Sequence, residues 1–177
     1  MSNDGNKDNN EGLYSEKEAM HQAIQALYDM LPADADRIEH RGVYLAGISN
    51  SVTVVVDRQG QEISTFSTND VDKACAELRR VMYKPGLGSW FSVFMTVWRD
   101  GRARTEYNYD TKPDFGSARG ISYLTDLHTY PIDEDKRPEW LKEQVAEGIA
   151  DLHTYGKKSY PRWLKQMIAE GKKPAWL

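Results

Sequence analysis

Two copies of Asp-Leu-His-Thr-Tyr set His128 and His153 in the same local surroundings, each two residues after an aspartate (Asp126 and Asp151). An imidazole beside a carboxylate is the pairing used for acid–base work and for metal binding. A zinc site needs further ligands, yet His21 falls on the outer face of a helical stripe and His40 at a polar strand start, with no spacing that joins either to the repeats. A duplicated segment carries a duplicated histidine without any shared chemistry, so a structural role is expected for both. Asp133-Glu134-Asp135 runs directly into Lys136-Arg137 and reads as a solvated loop, whose role would be an acidic patch that steers a basic partner. Cys75 sits in an apolar helical stripe with no base nearby and reads as a small buried hydrophobe. Gly86-Leu87-Gly88-Ser89 matches neither a phosphate-binding loop nor a dinucleotide fingerprint, and there is no Gly-x-Ser-x-Gly elbow. No catalytic residue, metal or cofactor is expected.

Aromatic residues say more. The 177-residue chain has five tryptophans and ten tyrosines, the side chains that dominate binding hot spots. Tyr107, Asn108, Tyr109 and Asp110 close a strand as a polar aromatic surface, and Trp176 lies one residue from the last, where burial is harder to arrange. Trp140 and Trp163 are expected to pin short helices to a sheet. A net charge of −4 argues against a general binder of nucleic-acid phosphates and for a basic protein partner. A single cysteine excludes an intrachain disulfide, and no apolar run is long enough for a membrane span, so the expected setting is the cytoplasm.

The elements follow from periodicity. Residues 1–12 are polar and read as a disordered tail. Ser15 and Glu18 form a capping box ahead of the helical stripe Met20, Ala23, Ile24, Leu27, Met30 and Leu31, which Pro32 ends. Strands are expected over Val43 to Ile48, Val52 to Val56 and Glu62 to Phe66, with a turn at Ser49-Asn50-Ser51. A second helix carries Val71, Ala74, Cys75, Leu78, Val81 and Met82. A hairpin turning at Asp100-Gly101 then joins a strand apolar on both faces, hence central, to the half-exposed strand Arg102 to Tyr109. Helix, three strands, helix, two strands implies an α+β fold, an antiparallel sheet with its helices on one face, over residues 13–125. Residues 126–177 form a duplicated appendage: Pro-x-Trp-Leu recurs at Pro138, Pro161 and Pro174, opening two short helices and a terminal stub, with Gly148 and Gly171 as helix stops.

The segment Trp90 to Asp110 resembles the signature of the YezG-like immunity proteins: an aromatic near the strand start, alternating apolar residues, an Asp-Gly turn, and a strand closing on Tyr109-Asp110. A first helix ending Leu27-Tyr28-x-x-Leu31-Pro32 and the three-strand meander before a second helix are similar to that family too. The chain differs in Arg102-Ala103-Arg104, where the family favours Gly-Lys-Phe, and in its duplicated tail. The resemblance implies a cytoplasmic protein that binds and neutralises a secreted toxin encoded beside it. The expectation is a one-to-one complex that covers the active site of a nuclease or nucleotide-degrading toxin, through Tyr107, Tyr109, Asp110, Asp133, Glu134, Asp135 and Trp176. No nucleic-acid or membrane partner is expected. The alternatives are a secretion chaperone that holds its partner without inhibiting it, and a small enzyme using His128 or His153.

Overall fold

A computed structural model describes residues 7–116 and 118–177. They divide into two compact units: the first holds the chain up to Tyr44, Ser49–Tyr83 and Ser89–Tyr109, and the second Leu45–Ile48, Lys84–Gly88 and Asp110–Leu177. The boundary therefore falls at Asp110, ahead of the expected Asp126.

The first unit is an α+β sandwich. Helix α1 (Lys7–Met30) precedes β1 (Ala35–Leu45), β2 (Ile48–Asp57) and β3 (Glu62–Thr65); α2 (Asn69–Val81) then leads to β4 (Ser92–Trp98) and β5 (Ala103–Asn108). The strands form one sheet in the order β3-β2-β1-β4-β5. Of the expected tail, residues 1–6 lie outside the described residues, and α1 takes in the rest. Ser15 is consequently inside the helix and does not cap it, because adding turns to an anchored helix costs little once its nucleus exists. The anchor is the buried line Ala19, Ala23, Leu27 and Leu31, spaced by one helical turn. From α2, Val71, Cys75 and Leu78 enter the same core, where they meet Ile38, Val55, Val93, Met95 and Val97 of the sheet. Thr68 caps α2, its hydroxyl accepting from Val71 N–H.

Strand β4 lies between β1 and β5, as its two apolar faces require. Val93, Met95 and Val97 face the helices opposite Gly42, His40 and Ile38, while Phe94 and Trp98 lie half-exposed on the other face under Arg41 and Arg102. The Asp-Gly turn closes as a three-residue loop, with Gly101 at φ 87° and Trp98 N–H donating to Arg102 O. The first meander departs from expectation. Strand β1 begins at Ala35, and the chain reverses at Ala46-Gly47, where Gly47 takes φ 84°, leaving Ser49-Asn50-Ser51 inside β2.

The second unit is helical: α3 (Gly120–Thr129), α4 (Glu139–Tyr155) and α5 (Arg162–Ala169), with a 3-10 turn at Glu134–Lys136. The first DLHTY copy ends α3, a helix not anticipated, and the second ends α4. Gly148 does not stop α4. It lies at the crossing with α3, where a methyl on Gly148 would meet the Gly120 carbonyl at 2.6 Å and one on Gly120 would meet Gly148 N at 2.3 Å. The helix ends instead at Gly156, φ 67°. Trp140 and Trp163, expected to pin short helices to a sheet, make their named contacts within this unit. Trp140 packs edge-on against Tyr123 of α3 and donates to Asp110 O at 2.6 Å, and Trp163 donates to Thr125 Oγ1 at 3.0 Å. Leu124, Leu152 and Leu164 form the core between the three helices.

Gly148→Ala tests the crossing. Alanine in an ordinary helix interior is better than glycine by about 1 kcal/mol. Here backbone cannot yield to the methyl, so the substitution is expected to lower stability by roughly 1–3 kcal/mol in urea unfolding of the full chain.

Candidate interaction surfaces

The most chemically varied cluster is interior. His40 is fully buried on the helix-facing side of β1, with its Nδ1 3.0 Å from Thr53 Oγ1 and its Nε2 3.0 Å from Tyr44 OH. Tyr44 spends its single proton on Asp72 Oδ1 at 3.1 Å, so His40 donates through Nε2 and accepts from Thr53 through Nδ1. Ser51 and Ser67 donate to the same Asp72 oxygen. Gly42 lies between His40 and Tyr44 on this face, and its missing side chain leaves the path open: a methyl there would stand 2.3 Å from the Tyr44 ring. Burial holds His40 down to about 4 against a partial opposing pull from Asp72, and pushes the Cys75 thiol up to about 12. Cys75 is thus a neutral, fully buried thiol beside Tyr44, the small hydrophobe expected.

The repeated histidines are exposed, and each makes one contact with a tryptophan. His128 stacks on Trp163 with ring centroids 4.3 Å apart, and His153 Nε2 donates to Trp176 O at 3.0 Å. Each DLHTY histidine therefore meets the tryptophan of the second Pro-x-Trp-Leu segment downstream of it. No group of three or more metal-ligating side chains occurs among the described residues.

The expected partner-binding residues separate. Tyr107 is half-buried: it points to the helix-facing side of β5, against Trp90 at 5.5 Å with its hydroxyl on Met20 Sδ, and burial raises its pKa. Trp176 is also drawn inward, half-buried beside the core of the second unit. Tyr109 remains 41 % exposed and Asp110 is exposed. Asp133, Glu134 and Asp135 are exposed together around the 3-10 turn, where Asp133 pairs with Lys136 at 2.7 Å and its N–H donates to Gly86 O. Only these three form a patch within one element.

Two features were not anticipated. One is an open groove of about 690 Å³ between α1 and α2, floored by Ala26, Met30 and Ala74 and edged by Asp29, Asp70 and Glu77 against Lys73. The other is at the β2–β3 end of the sheet, where Phe66 is 94 % exposed, Ile63 59 % and Val52 54 %. An alternating strand with a buried face predicts an inward Ile63, but β3 lies at the sheet edge, beyond the cover of the helices. Burial on an edge cannot be read from alternation alone. No protein-family model matches the chain, and no curated protein matches it.

The buried imidazole makes stability depend on pH. Its folded pKa lies below the unfolded value of about 6.5, so between about pH 6.5 and 4 the unfolded chain binds the extra proton. His40 faces Thr53, Tyr44 and Asp72, and none of these supplies enough charge to offset its burial. Stability contributed by the neutral ring is complete above pH 6.5 and is lost as pH falls through that window, by roughly 3 kcal/mol in all. Urea unfolding as a function of pH checks this, and His40→Gln should flatten the slope between pH 6.5 and 4.

Proposed function

We propose that this protein is an immunity protein, which binds a cognate toxin domain one-to-one and covers its active site. The observation that carries the reading is Phe66, 94 % exposed beside an exposed Ile63 on an otherwise well-packed unit. A large apolar side chain held in water is a cost that a partner's pocket removes, and aromatic anchors of this kind concentrate binding energy. The acidic turn at Asp133–Asp135 and the net charge of −4 suit a basic partner, as a nuclease or nucleotide-degrading enzyme would be around its anion-binding site. The likeness of Trp90 to Asp110 to the immunity signature agrees with this reading. His128 stacks on Trp163 and His153 donates to the Trp176 carbonyl, both rings staying exposed, while Cys75 is buried in the core.

Co-expression with the toxin domain encoded beside it is the test, and wild-type chain that leaves toxicity unchanged would sink the reading. Phe66→Ala is expected to weaken the complex by about 2 kcal/mol or more, measured by calorimetry. Neutralising Asp133, Glu134 and Asp135 together should slow association and reduce its salt dependence while leaving dissociation nearly constant, seen in stopped-flow traces at two ionic strengths. Alanine at both His128 and His153 should leave protection intact; loss of protection with the fold retained would favour the enzymatic alternative.

A further inference from the structure

We infer that the partner adds an extended strand to the open edge of β3, an inference that rests on the reading of the partner as a toxin domain. Strand β3 ends the sheet, and all four of its residues are exposed. The direction of its backbone groups follows from the register. Asp57 N–H donates to Gln61 O at 3.0 Å, and Thr53↔Thr65 and Val55↔Ile63 continue that pairing at intervals of two. In an antiparallel pair such positions alternate with positions whose N–H and C=O point away. Ile63 and Thr65 are therefore bonded to β2, while Glu62 and Ser64 offer donor and acceptor groups to the open side. A row of backbone donors and acceptors two residues apart is complementary to another extended backbone.

The surroundings of the edge select the occupant further. Glu62 carries the only charge on β3, and Ile63 and Phe66 stand exposed beside it, so the incoming strand should bear a lysine or arginine opposite Glu62 and apolar side chains toward Ile63 and Phe66. The opposite edge lacks this character. Strand β5 follows Arg102 and carries Arg104 and Glu106, alternating charges of the sort that blunt an edge against pairing.

Proline gives a test specific to the backbone. At Ser64 it removes an outward N–H and leaves the β2 ladder whole, which sheet edges tolerate. By the same register logic Ala103 points its N–H outward from β5, since Trp98 N–H bonds Arg102 O, so Ala103→Pro is the matched change on the other edge. The full chain and both variants are titrated against the neighbouring toxin domain, with amide hydrogen exchange recorded for the wild-type complex. The expected result is a loss of thirtyfold or more in affinity for Ser64→Pro, less than threefold for Ala103→Pro, and exchange slowed at least tenfold at Glu62 and Ser64. If Ser64→Pro lowers the unfolding midpoint, the wild-type exchange pattern decides alone. Tight wild-type binding with unchanged exchange at Glu62 and Ser64 overturns the inference and leaves the immunity reading standing. Absence of wild-type neutralisation removes both. A dimer of the chain alone that Ser64→Pro dissolves would assign the edge to a second copy and overturn it as well.

Discussion

The first unit depends on a line of hydrogen bonds that runs from Thr53 through His40 and Tyr44 to Asp72. It ties β2 to β1 and β1 to α2, and so fixes the height and register at which the second helix lies on the sheet. Each member is committed. The tyrosine has one proton and gives it to Asp72, which determines the tautomer of His40 and in turn the direction of the Thr53 hydroxyl. Cutting such a line leaves a buried polar group without a partner, at about 1–3 kcal/mol. Gly42 is part of the same device, since no other residue lets an imidazole and a phenol meet across the intervening position of one strand face. Arg79 serves the same purpose one helical turn beyond Cys75: buried, it donates to Trp90 O, while Ser89 donates to its carbonyl, and the start of β4 is held to α2.

The second unit solves the packing of short helices differently, by close backbone approach at Gly120 and Gly148 and by a repeated aromatic clasp. The duplication has a structural logic. Each DLHTY segment ends a helix, and its histidine is met by a tryptophan two Pro-x-Trp-Leu segments along, so one contact scheme is used twice along three short elements. The two contacts differ in kind: His128 offers its ring face to Trp163, and His153 offers a ring N–H to the carbonyl of Trp176. Short helices gain little from propensity alone and need such tertiary contacts to persist.

What could be read in the sequence was what repeats with a period. The stripes of α1 and α2, the central character of β4 and the Asp-Gly hairpin all follow from apolar spacing and turn chemistry. Misplaced elements each have a physical cause. Strand β1 hid because its inner face reads Ile38, His40, Gly42, Tyr44: a polar ring and a glycine stand where alternation expects apolar side chains, and the hydrogen-bonded line requires them there. Gly148 looks like a stop because glycine has two uses in helices, termination and close approach, which sequence does not separate. The hydroxyl of Tyr107 reads as an outward group, but a phenol can lay its ring on Trp90 and rest its oxygen on a methionine sulfur. Phe66 carries no signal of exposure in the sequence, where it reads only as the last apolar residue of the strand Glu62 to Phe66.

A division of labour emerges between groups the fold consumes and groups it leaves over. His40, Cys75 and most tryptophan side chains, of the types a sequence offers first as functional, are spent on internal contacts. Facing solvent are backbone groups on the sheet edges, apolar side chains flanking the β3 edge, and carboxylates on a turn. Backbone edges and apolar anchors are the materials of recognition between proteins, and neither needs a special residue type to work. Side chains on the β3 edge can change and leave the fold intact, because the bonds that hold β3 to β2 lie on the other side of the strand from its free groups.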